Sequence, residues 1–288
     1  MNHFAIGVDI GGSHITAAII DLTSHSIVAN SIIRHSINAK AGETEIINQW
    51  SDAMIHCKSV MPGSFKKMGI AMPGPFDYEK GICLIKDLDK YEALYNLNVK
   101  ELLAEKLGID VADIFMMNDA SCFLKGEIFS GTAKDSNNVI GITLGTGLGS
   151  AVCKNGIIYD GDLYCAKFKD QTAEDYLSTR WFLRRYQQLS GKNVNNVKEI
   201  SEQVANDKNA AMVFKEFGKN LGEVLANYIR KHDAETVIIG GNIMKAWELF
   251  IDETKAELSE QGIIVSLIKA KLGETALLLG AGSLCLKV

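Results

Sequence analysis

Two glycine-rich turns constrain the fold of this chain more than any other feature of its sequence. The turn Asp9–Ser13 lies between two apolar segments with the composition of β-strands. The turn Gly145–Gly149 has the same surroundings, and in both halves a short turn and a third strand come next. The order strand, glycine turn, strand, short turn, strand therefore occurs twice. We predict a duplicated α/β architecture with a cleft between the two halves.

The spacing of apolar residues predicts a mixed order of strands and helices in each half. In the first half we expect strands at Phe4–Asp9, Ile15–Asp21, Ser26–Arg34, Met68–Ala71 and Ile114–Met117, and helices at Glu43–Cys57 and Val99–Leu107. In the second half we expect strands at Val139–Leu144, Ser150–Cys153, Gly156–Ile158, Thr236–Ile239 and Ile263–Leu267. The helices expected there are Thr172–Leu189, Lys198–Ala205, Asn209–Lys231, one that begins at about Met244, and Glu274–Leu286. The expected domains are residues 1–118, on which the closing helix 274–288 packs, and residues 119–273.

Composition and charge exclude several classes of protein. The chain has 288 residues, a net charge of −5 and six cysteines without CxxC spacing. A broad nucleic-acid surface needs clustered lysine and arginine, and the short basic run Arg180–Arg185 is more typical of a solvated helix face. The cysteines predict neither a disulfide framework nor a zinc site, and no segment has the length of a membrane span. We therefore expect a cytoplasmic protein with reduced thiols that binds neither nucleic acid nor membrane.

The first glycine turn has the composition of a phosphate-binding segment. Gly11 and Gly12 allow backbone N–H groups to approach a phosphate closely, and Ser13 can donate its hydroxyl. Asp9, at the end of its strand, is placed to bind Mg²⁺ through water, because this ion keeps much of its hydration. The alternative interpretation is an ordinary hairpin turn without a ligand.

The second glycine turn carries alternating glycines, Gly145, Gly147 and Gly149, between two apolar strands. Its small side chains leave room for the phosphates of a nucleotide, and Thr146 can donate a hydroxyl. It is not a Rossmann fingerprint, because a strand follows it, and it is not a P-loop, because Gly-Lys-Ser/Thr is missing. A hairpin without a ligand is again the alternative. Two such turns in corresponding positions nevertheless favour ATP as a ligand.

Asp119 lies where an apolar strand ends and a helix begins. A carboxylate in this position can accept a proton from a substrate hydroxyl, which is the role of a catalytic base. Aspartate also caps helix N-termini, and this segment alone supports both interpretations equally. The neighbouring phosphate turns favour the catalytic role.

A further glycine pair, Gly240 and Gly241, follows a predicted strand and is itself followed by Asn242 and a helix. Adjacent glycines allow a flat adenine or a ribose to lie against the backbone. A simple turn between strand and helix explains the pattern equally well.

Five motifs in this order resemble those of the ROK family of sugar kinases, within the actin-like ATPase superfamily, over almost the whole chain. The resemblance implies two ribonuclease H-like domains with ATP and sugar bound in the cleft. Asp9–Ser13 and Gly145–Gly149 resemble the phosphate motifs, and Gly240–Gly241 resembles the adenosine motif. Met72–Pro75 resembles the substrate loop, which implies sugar contacts from Gly74 and Pro75. Asn118–Asp119 resembles the sugar-binding Asn and the catalytic Asp.

The segment that begins at Gly161 departs from the family pattern. The family carries Gly-Glu-x-Gly-His there, followed by a cysteine-rich zinc loop that ends in a sugar-binding Glu. Here Asp162 stands in place of the first Glu and Cys165 in place of the His, while Glu174 resembles the closing Glu. Only eight residues separate Cys165 from Glu174, so no structural zinc is expected. His14 stands where the family commonly has Lys, and we expect it to be a strand-surface residue.

These patterns together predict a glucokinase-like transfer of the γ-phosphoryl group of ATP, with Mg²⁺, to a hexose hydroxyl, at O6. Asp119 would accept the proton, while Asn118, Asp162, Glu174 and the Gly74–Pro75 loop would bind the sugar. The resemblance also implies a homodimer. Two alternatives stay open: a sensor derived from such a kinase that binds sugar or nucleotide without turnover, and a kinase of the same superfamily that acts on a non-sugar.

Overall fold

The computed structural model describes residues 3–63, 66–134 and 136–286 of the chain. These residues form two compact units. Unit 1 contains the residues up to 134 and those from 274 onward, and unit 2 contains residues 135–273. Each unit has one main β-sheet with helices packed against it, as expected for an α/β protein.

The main sheet of unit 1 combines an antiparallel hairpin with parallel strands. Its strands, with those of a small separate hairpin, are β1 (Phe4–Ile10), β2 (His14–Asp21), β3 (Ser26–Ile27), β4 (Ile33–Ser36), β5 (Met68–Met72), β6 (Phe76–Asp77), β7 (Ile82–Cys83) and β8 (Ile114–Asn118). The order in the main sheet is β3-β2-β1-β5-β8, with β4 paired to β2, while β6 pairs with β7. β1 is antiparallel to β2 and parallel to β5, which is parallel to β8. The carboxyl ends of β1, β5 and β8 therefore meet at one edge.

Unit 2 repeats this arrangement. Its strands are β9 (Asn138–Leu144), β10 (Leu148–Lys154), β11 (Ile157–Asp160), β12 (Lys167–Phe168), β13 (Gln171–Thr172), β14 (Thr236–Gly240) and β15 (Ser266–Lys269). The main sheet has the order β11-β10-β9-β14-β15, and β12 pairs with β13 in a separate hairpin. β9 is antiparallel to β10 and parallel to β14, as β1 is to β2 and β5. The duplication expected from the two glycine turns is thus present in the strand pairing.

The helices pack on these sheets through buried apolar residues. In unit 1 they are α1 (Glu43–Ser59), α2 (Val99–Leu107), α3 (Asp119–Phe129) and α9 (Thr275–Ser283), and in unit 2 they are α4 (Ala173–Tyr176), α5 (Thr179–Ser190), α6 (Val197–Ser201), α7 (Lys208–His232) and α8 (Ile251–Glu260). The core of unit 2 is rich in aromatic rings, and Phe182 contacts both Phe214 and Phe217 there. Among the described residues, none of the helices combines the length and apolar character needed to cross a membrane.

Close contacts of α9 with α3 and β1 place both helices in unit 1. A Cβ atom at Gly7 of β1 would lie 2.0 Å from the carbonyl oxygen of Leu278, and one at Gly280 of α9 would lie 1.8 Å from that of Cys122 in α3. Because real Cβ atoms essentially never approach within 3.0 Å, only glycine fits at these two positions. The boundary between the units accordingly falls after residue 134, whereas the sequence had suggested a boundary after residue 118.

Two predicted elements are divided in the structure. The strand expected at Ser26–Arg34 is interrupted by a turn, because the buried Ser31 accepts a hydrogen bond from the Ile19 N–H at 3.0 Å and donates one to the Val28 carbonyl at 2.8 Å. The helix expected at Thr172–Leu189 is two helices, α4 and α5, because the backbone at Ser178 is extended between them.

Two other predicted elements are shifted. The strand expected at Ile263–Leu267 begins at Ser266, since Ser266 pairs with Thr236 at the start of β14. The helix expected from Met244 begins instead with a 3₁₀ segment, Asn242–Leu249, and the α-helix α8 follows it.

Candidate active site

The first glycine turn joins β1 to β2 at the edge of the sheet in unit 1. The Gly11 N–H donates to the His14 carbonyl at 2.9 Å and closes the turn. The φ angle of Gly12 lies outside the left-handed region, and a Cβ atom there would meet no described atom within 4 Å. Neither the backbone nor internal packing thus requires glycine at position 12, and the space beside the turn is open to a ligand.

Tyr91 supports this turn from inside unit 1, and the sequence analysis missed it. Its hydroxyl donates to the Gly11 carbonyl. The side chain is completely buried and packs edge-to-face on Trp50, with ring centroids 5.1 Å apart. Burial raises the pKa of Tyr91, so the hydroxyl keeps its proton at neutral pH. No local pattern signals the contact, because Tyr91 and Gly11 are 80 residues apart in sequence.

Ser13 and His14 interact at the exposed side of the same turn. Ser13 Oγ and His14 Nδ1 are 2.9 Å apart. Ser13 is exposed and His14 is half-buried at the start of β2. His14 therefore does more than occupy a strand surface, because it contacts the hydroxyl that was predicted to bind phosphate.

Asp9 and Asp119 lie at the same edge of this sheet. Asp9 is in β1 beside Ala71 of β5, and Asp119 directly follows β8, the next parallel strand. The pKa of Asp9 is raised to about 7, chiefly by burial and then by the charge of Asp119. Burial also raises the pKa of Asp119, against the opposing effects of the Ala120 N–H and of Lys90. Nearby carboxylates disfavour each other's charge, and a bound cation would relieve this repulsion.

Asn118, and not Asp119, caps helix α3. The Asn118 side-chain oxygen accepts hydrogen bonds from the N–H groups of Ala120 at 2.8 Å and Ser121 at 3.4 Å. Asp119 is the first residue inside the helix, and one of its oxygens accepts from the Ala120 N–H at 2.8 Å. The interpretation of Asp119 as the N-cap is therefore wrong, and its carboxylate needs another explanation.

Gly74 lies beside Asn118, as the prediction of a common sugar site requires. A Cβ atom at Gly74 would lie 3.9 Å from Asn118 Nδ2 and 3.1 Å from the hydroxyl of Tyr78. Pro75 follows Gly74 through a cis peptide bond and is exposed. Unit 1 thus brings Gly74 close to Asn118, and Asp119 is the next residue in the chain.

The second glycine turn joins β9 to β10 in unit 2. The Gly145 N–H donates to the Gly147 carbonyl at 3.0 Å, and Thr146 is exposed at the tip. Thr179, at the start of α5, donates to the Gly145 carbonyl through its N–H at 2.8 Å and its hydroxyl at 2.9 Å. Gly149 lies in β10, paired with Thr143. A Cβ atom at Gly145 would meet no described atom within 4 Å, as at Gly12.

Glu174 packs against this turn. One oxygen accepts from the Leu148 N–H at 3.0 Å, and the other accepts from Arg180 at 2.7 Å. A Cβ atom at Gly147 would lie 2.5 Å from the first oxygen, so glycine at this position makes room for Glu174. The structure therefore places a residue that was predicted to bind sugar in contact with the predicted phosphate turn. Arg180 was assigned only to a solvated helix face, and its bond to Glu174 was missed.

The turn Gly240–Asn242 lies next to the second glycine turn. Gly240 ends β14 beside Thr143 of β9. Gly241 has a φ of 91°, and a Cβ atom there would lie 2.3 Å from the Leu144 carbonyl oxygen. Gly241 is thus required by the fold itself, whereas the exposed Asn242 opens the following 3₁₀ segment. The two segments predicted to contact the nucleotide in unit 2 are therefore neighbours in the structure.

Asp162 lies in a different environment from Glu174. It has a left-handed backbone with φ of 50° and an exposed side chain, and its carbonyl oxygen accepts a hydrogen bond from Cys165 Sγ at 3.2 Å. It lines a groove of about 280 Å³ with residues that include Phe168 and Tyr228, but Glu174 does not line this groove. In the part of the chain that the structure describes, no three His, Cys, Asp or Glu side chains are grouped as metal ligands.

The hairpin β12–β13 connects Cys165 to Glu174 and is fixed by Lys169. The Lys169 ammonium group lies 4.8 Å from the ring centroid of Phe168 and 5.4 Å from that of Tyr176. It also donates to Asn220 at 2.6 Å and lies 3.6 Å from Glu223. These contacts attach the hairpin to α7 and so hold the segment that leads into Glu174.

The chain belongs to the ROK family, whose sequence model matches residues 5–288. It is 22% identical to glucokinase of Thermotoga maritima, over 97% of this chain and 96% of that protein. It is 26% identical to N-acetyl-D-glucosamine kinase of Aliivibrio fischeri, over 77% of this chain and 80% of that protein. It is also 23% identical to the xylose repressor of Bacillus subtilis, over 98% of this chain and 76% of that protein.

Solved structures of family members have the same fold. A ROK glucokinase of Streptomyces griseus, solved with glucose and AMPPNP, superposes with a TM-score of 0.77 at 23% identity, over 98% of both chains. The glucokinase of Parabacteroides distasonis superposes with a TM-score of 0.84 at 22% identity, over 99% of this chain and 98% of that one. The expected pair of ribonuclease H-like domains of the actin-like ATPase type is thereby confirmed.

Proposed function

We propose that this chain is an ATP-dependent sugar kinase that transfers a phosphoryl group to a hydroxyl of a hexose or N-acetylhexosamine. The proposal rests on Gly12 and Gly145, which lie in equivalent turns of the two sheets and have open space where a Cβ atom would be. Internal packing explains Gly147 and Gly241 but neither of this pair. Glycine at both positions is explained if the backbone N–H groups of these turns approach a phosphate closely. Relatives named glucokinase and N-acetyl-D-glucosamine kinase support a sugar as the acceptor.

Asp119 is the proposed catalytic base. It does not cap its helix, and burial raises its pKa, which brings a carboxylate closer to the value that suits proton transfer near neutral pH. From there it would accept the proton of the sugar hydroxyl as the phosphoryl group is transferred. In unit 1, Asn118, Gly74 and Pro75 are the proposed sugar contacts. Asp162 and Glu174 in unit 2 stay predicted sugar ligands.

The nucleotide is proposed to bind through both glycine turns and the glycine pair after β14. The residues assigned to it are Asp9, Gly11, Gly12, Ser13, Gly145, Thr146, Gly147, Gly149, Gly240, Gly241 and Asn242. Backbone N–H groups and the hydroxyls of Ser13 and Thr146 would stabilise the negative charge of the phosphates. The exposure of both hydroxyl-bearing residues is compatible with this role.

Asp9 fits a magnesium ion that accompanies ATP. It supplies the oxygen ligand that Mg²⁺ prefers. Its pKa is raised by burial and then by the negative charges of Asp119 and Glu274, and a bound cation would offset both effects. When bound, the ion would neutralise part of the phosphate charge. The residue would hold the ion through water, as expected from its position at the strand end.

ADP release measured with a panel of hexoses and N-acetylhexosamines tests this function. We expect release that depends on at least one of these sugars and on Mg²⁺. ATP binding without ADP release for every sugar would contradict the proposal and favour the sensor. Release with a non-sugar alcohol alone would favour a different kinase of the superfamily.

Two expectations from the family resemblance accompany this function. We infer a homodimer and a cytoplasmic location. Light scattering of the purified protein measures the first, and fractionation of the cells that produce it measures the second.

A further inference from the structure

Tyr78, just after β6, has a hydroxyl group that joins the two sugar-binding segments proposed for unit 1. The hydroxyl donates to the Met72 carbonyl oxygen at 3.0 Å and accepts from Asn118 Nδ2 at 3.2 Å. Met72 ends β5 and opens the loop that contains Gly74, whereas Asn118 ends β8. One phenol group thus connects the ends of two neighbouring parallel strands, and neither the sequence motifs nor the relatives' names assign it a role.

Packing fixes the position of this hydroxyl. The Tyr78 ring stacks on Phe76, with centroids 5.4 Å apart and an interplanar angle of 27°. Phe76 belongs to the buried core of unit 1. The Tyr78 oxygen lies 3.1 Å from the position of a Cβ atom at Gly74, so a larger residue in the loop would press on it. The stacked ring and the hydrogen bond to the Met72 carbonyl oxygen limit the movement of this hydroxyl away from Asn118.

The hydrogen bonds of Asn118 determine which way its amide points. The side-chain oxygen accepts from two backbone N–H groups of α3, at Ala120 and Ser121. Its nitrogen donates one of its two hydrogens to Tyr78. An amide nitrogen carries two donors, so the second N–H is the group that Asn118 can offer to a ligand.

We propose that Tyr78 is a positioning residue that orients the amide of Asn118 as a hydrogen-bond donor to the sugar. This inference rests on the proposed function. The sugar atom that faces Asn118 must then be an acceptor, such as a hydroxyl oxygen, while the adjacent Asp119 accepts a hydroxyl proton. A donor and an acceptor on consecutive residues select a substrate with hydroxyl groups oriented to satisfy both.

Kinetics of Tyr78→Phe test this role, because the variant keeps the ring and removes only the hydroxyl. We expect the KM for sugar to rise by about threefold to tenfold, which is about 0.7–1.4 kcal/mol and within the range of one net hydrogen bond. The KM for ATP should stay within about twofold of the wild-type value. Tyr95→Phe is the matched control, since Tyr95 is an exposed tyrosine of the same unit. An unchanged KM for sugar in Tyr78→Phe would overturn the inference, and so would equal rises in both KM values.

The variant Asn118→Asp tests whether residue 118 donates a hydrogen bond to the sugar, because a carboxylate can only accept one. Aspartate has nearly the same shape and is also a good N-cap, so helix α3 should keep its cap. If Asn118 acts as a donor, this variant loses most of its sugar affinity, and adding Tyr78→Phe lowers that affinity no further. Undiminished sugar affinity in Asn118→Asp, or effects that simply add in the double variant, would contradict the proposal.

Failure of the proposed function can be told apart from failure of this inference. If the wild-type protein neither binds nor phosphorylates any sugar, the proposed function is wrong. The side-chain amide signals of Asn118, observed by NMR in the protein without ligand, then decide the inference. Tyr78→Phe should shift them and speed their exchange with water, whereas identical signals in both proteins would show that Tyr78 does not orient this amide.

Discussion

The two glycine turns have equivalent places in their sheets but are held by unrelated side chains. In unit 1, the carbonyl of Gly11 accepts a hydrogen bond from the buried, neutral Tyr91. In unit 2, the carbonyl of Gly145 accepts two hydrogen bonds from Thr179, and Glu174 holds the Leu148 N–H. The duplicated feature is therefore the backbone, and each unit supports it in its own way.

The difference between these supports has energetic consequences. The side chain of Glu174 is 26% exposed and that of its partner Arg180 is 69% exposed, so water and salt screen their attraction. The hydrogen bond from Tyr91 is neutral, and its donor side chain is completely buried. We expect the second turn to respond to ionic strength and the first to be insensitive to it.

Alanine at the glycines should give the largest effects and separates ligand-binding glycines from structural ones. At Gly241, strain of about 1–3 kcal/mol from the positive φ adds to a clash with Leu144, so Gly241→Ala should strongly destabilise the protein. Gly12→Ala and Gly145→Ala should leave unfolding unchanged or raise its free energy by about 0.4–1 kcal/mol. Denaturant unfolding measures these changes.

Calorimetric titration with ATP completes the glycine comparison. Each added methyl group at position 12 or 145 would occupy the space proposed for a phosphate, so we expect at least a tenfold loss of ATP affinity, which is about 1.4 kcal/mol. If Gly12→Ala or Gly145→Ala failed to fold, these glycines would be structural, as Gly241 is, and the distinction between ligand-binding and structural glycines would be wrong. Wild-type ATP affinity in either variant would also contradict this distinction.

Glu174→Gln should have the next largest effect and tests the charged support of the second turn. The amide can still accept from Leu148 but loses the charge-assisted bond to Arg180, and bonds to charged groups contribute about 1.5–3 kcal/mol in buried sites. Because this pair is partly exposed, we expect a smaller loss, a rise of about threefold to tenfold in the KM for ATP. An unchanged KM for ATP would show that Glu174 does not support the turn, whatever happens to the KM for sugar.

Tyr91→Phe tests the neutral support of the first turn. Removal of the hydroxyl leaves the Gly11 carbonyl without this buried donor, and we expect a loss of about 1 kcal/mol in unfolding free energy with a KM for ATP raised a few-fold. Both effects should be the same at low and high salt, unlike those of Glu174→Gln. Equal salt dependence in the two variants would contradict the claim that the first turn has a neutral support and the second a charged one.

The pH dependence of stability tests the raised pKa of Asp9. Its pKa in the folded protein, about 7, is above the usual value of 3.8, so between these values the folded state holds a proton that the unfolded state releases. Its contribution to stability is present below pH 3.8 and is lost as the pH rises through 7. In Mg²⁺-free buffer, thermal melting should therefore show less pH dependence in Asp9→Asn than in the wild type. Identical pH profiles would refute this assignment.

The sequence predicted those features that depend on residues close together in the chain. Both glycine turns, most strands and the position of Asp119 after β8 follow from local patterns of apolar residues and glycine. Tyr91 and Lys169 could not be found in this way, because their partners lie 80 and 51 residues away. The role of Asn118 as the cap of α3, and not Asp119, depends on side-chain geometry that two adjacent polar residues do not reveal.

Asp119→Asn tests the central claim most directly, since it removes the proposed base and keeps the shape of the side chain. Sugar-dependent ADP release and ATP affinity are measured on the same preparation, with the wild-type protein as the reference. General-base catalysis contributes about 10²–10⁴-fold, so we predict that turnover falls by at least about 100-fold while ATP affinity stays within about threefold. A variant that keeps most of the wild-type turnover would contradict the account.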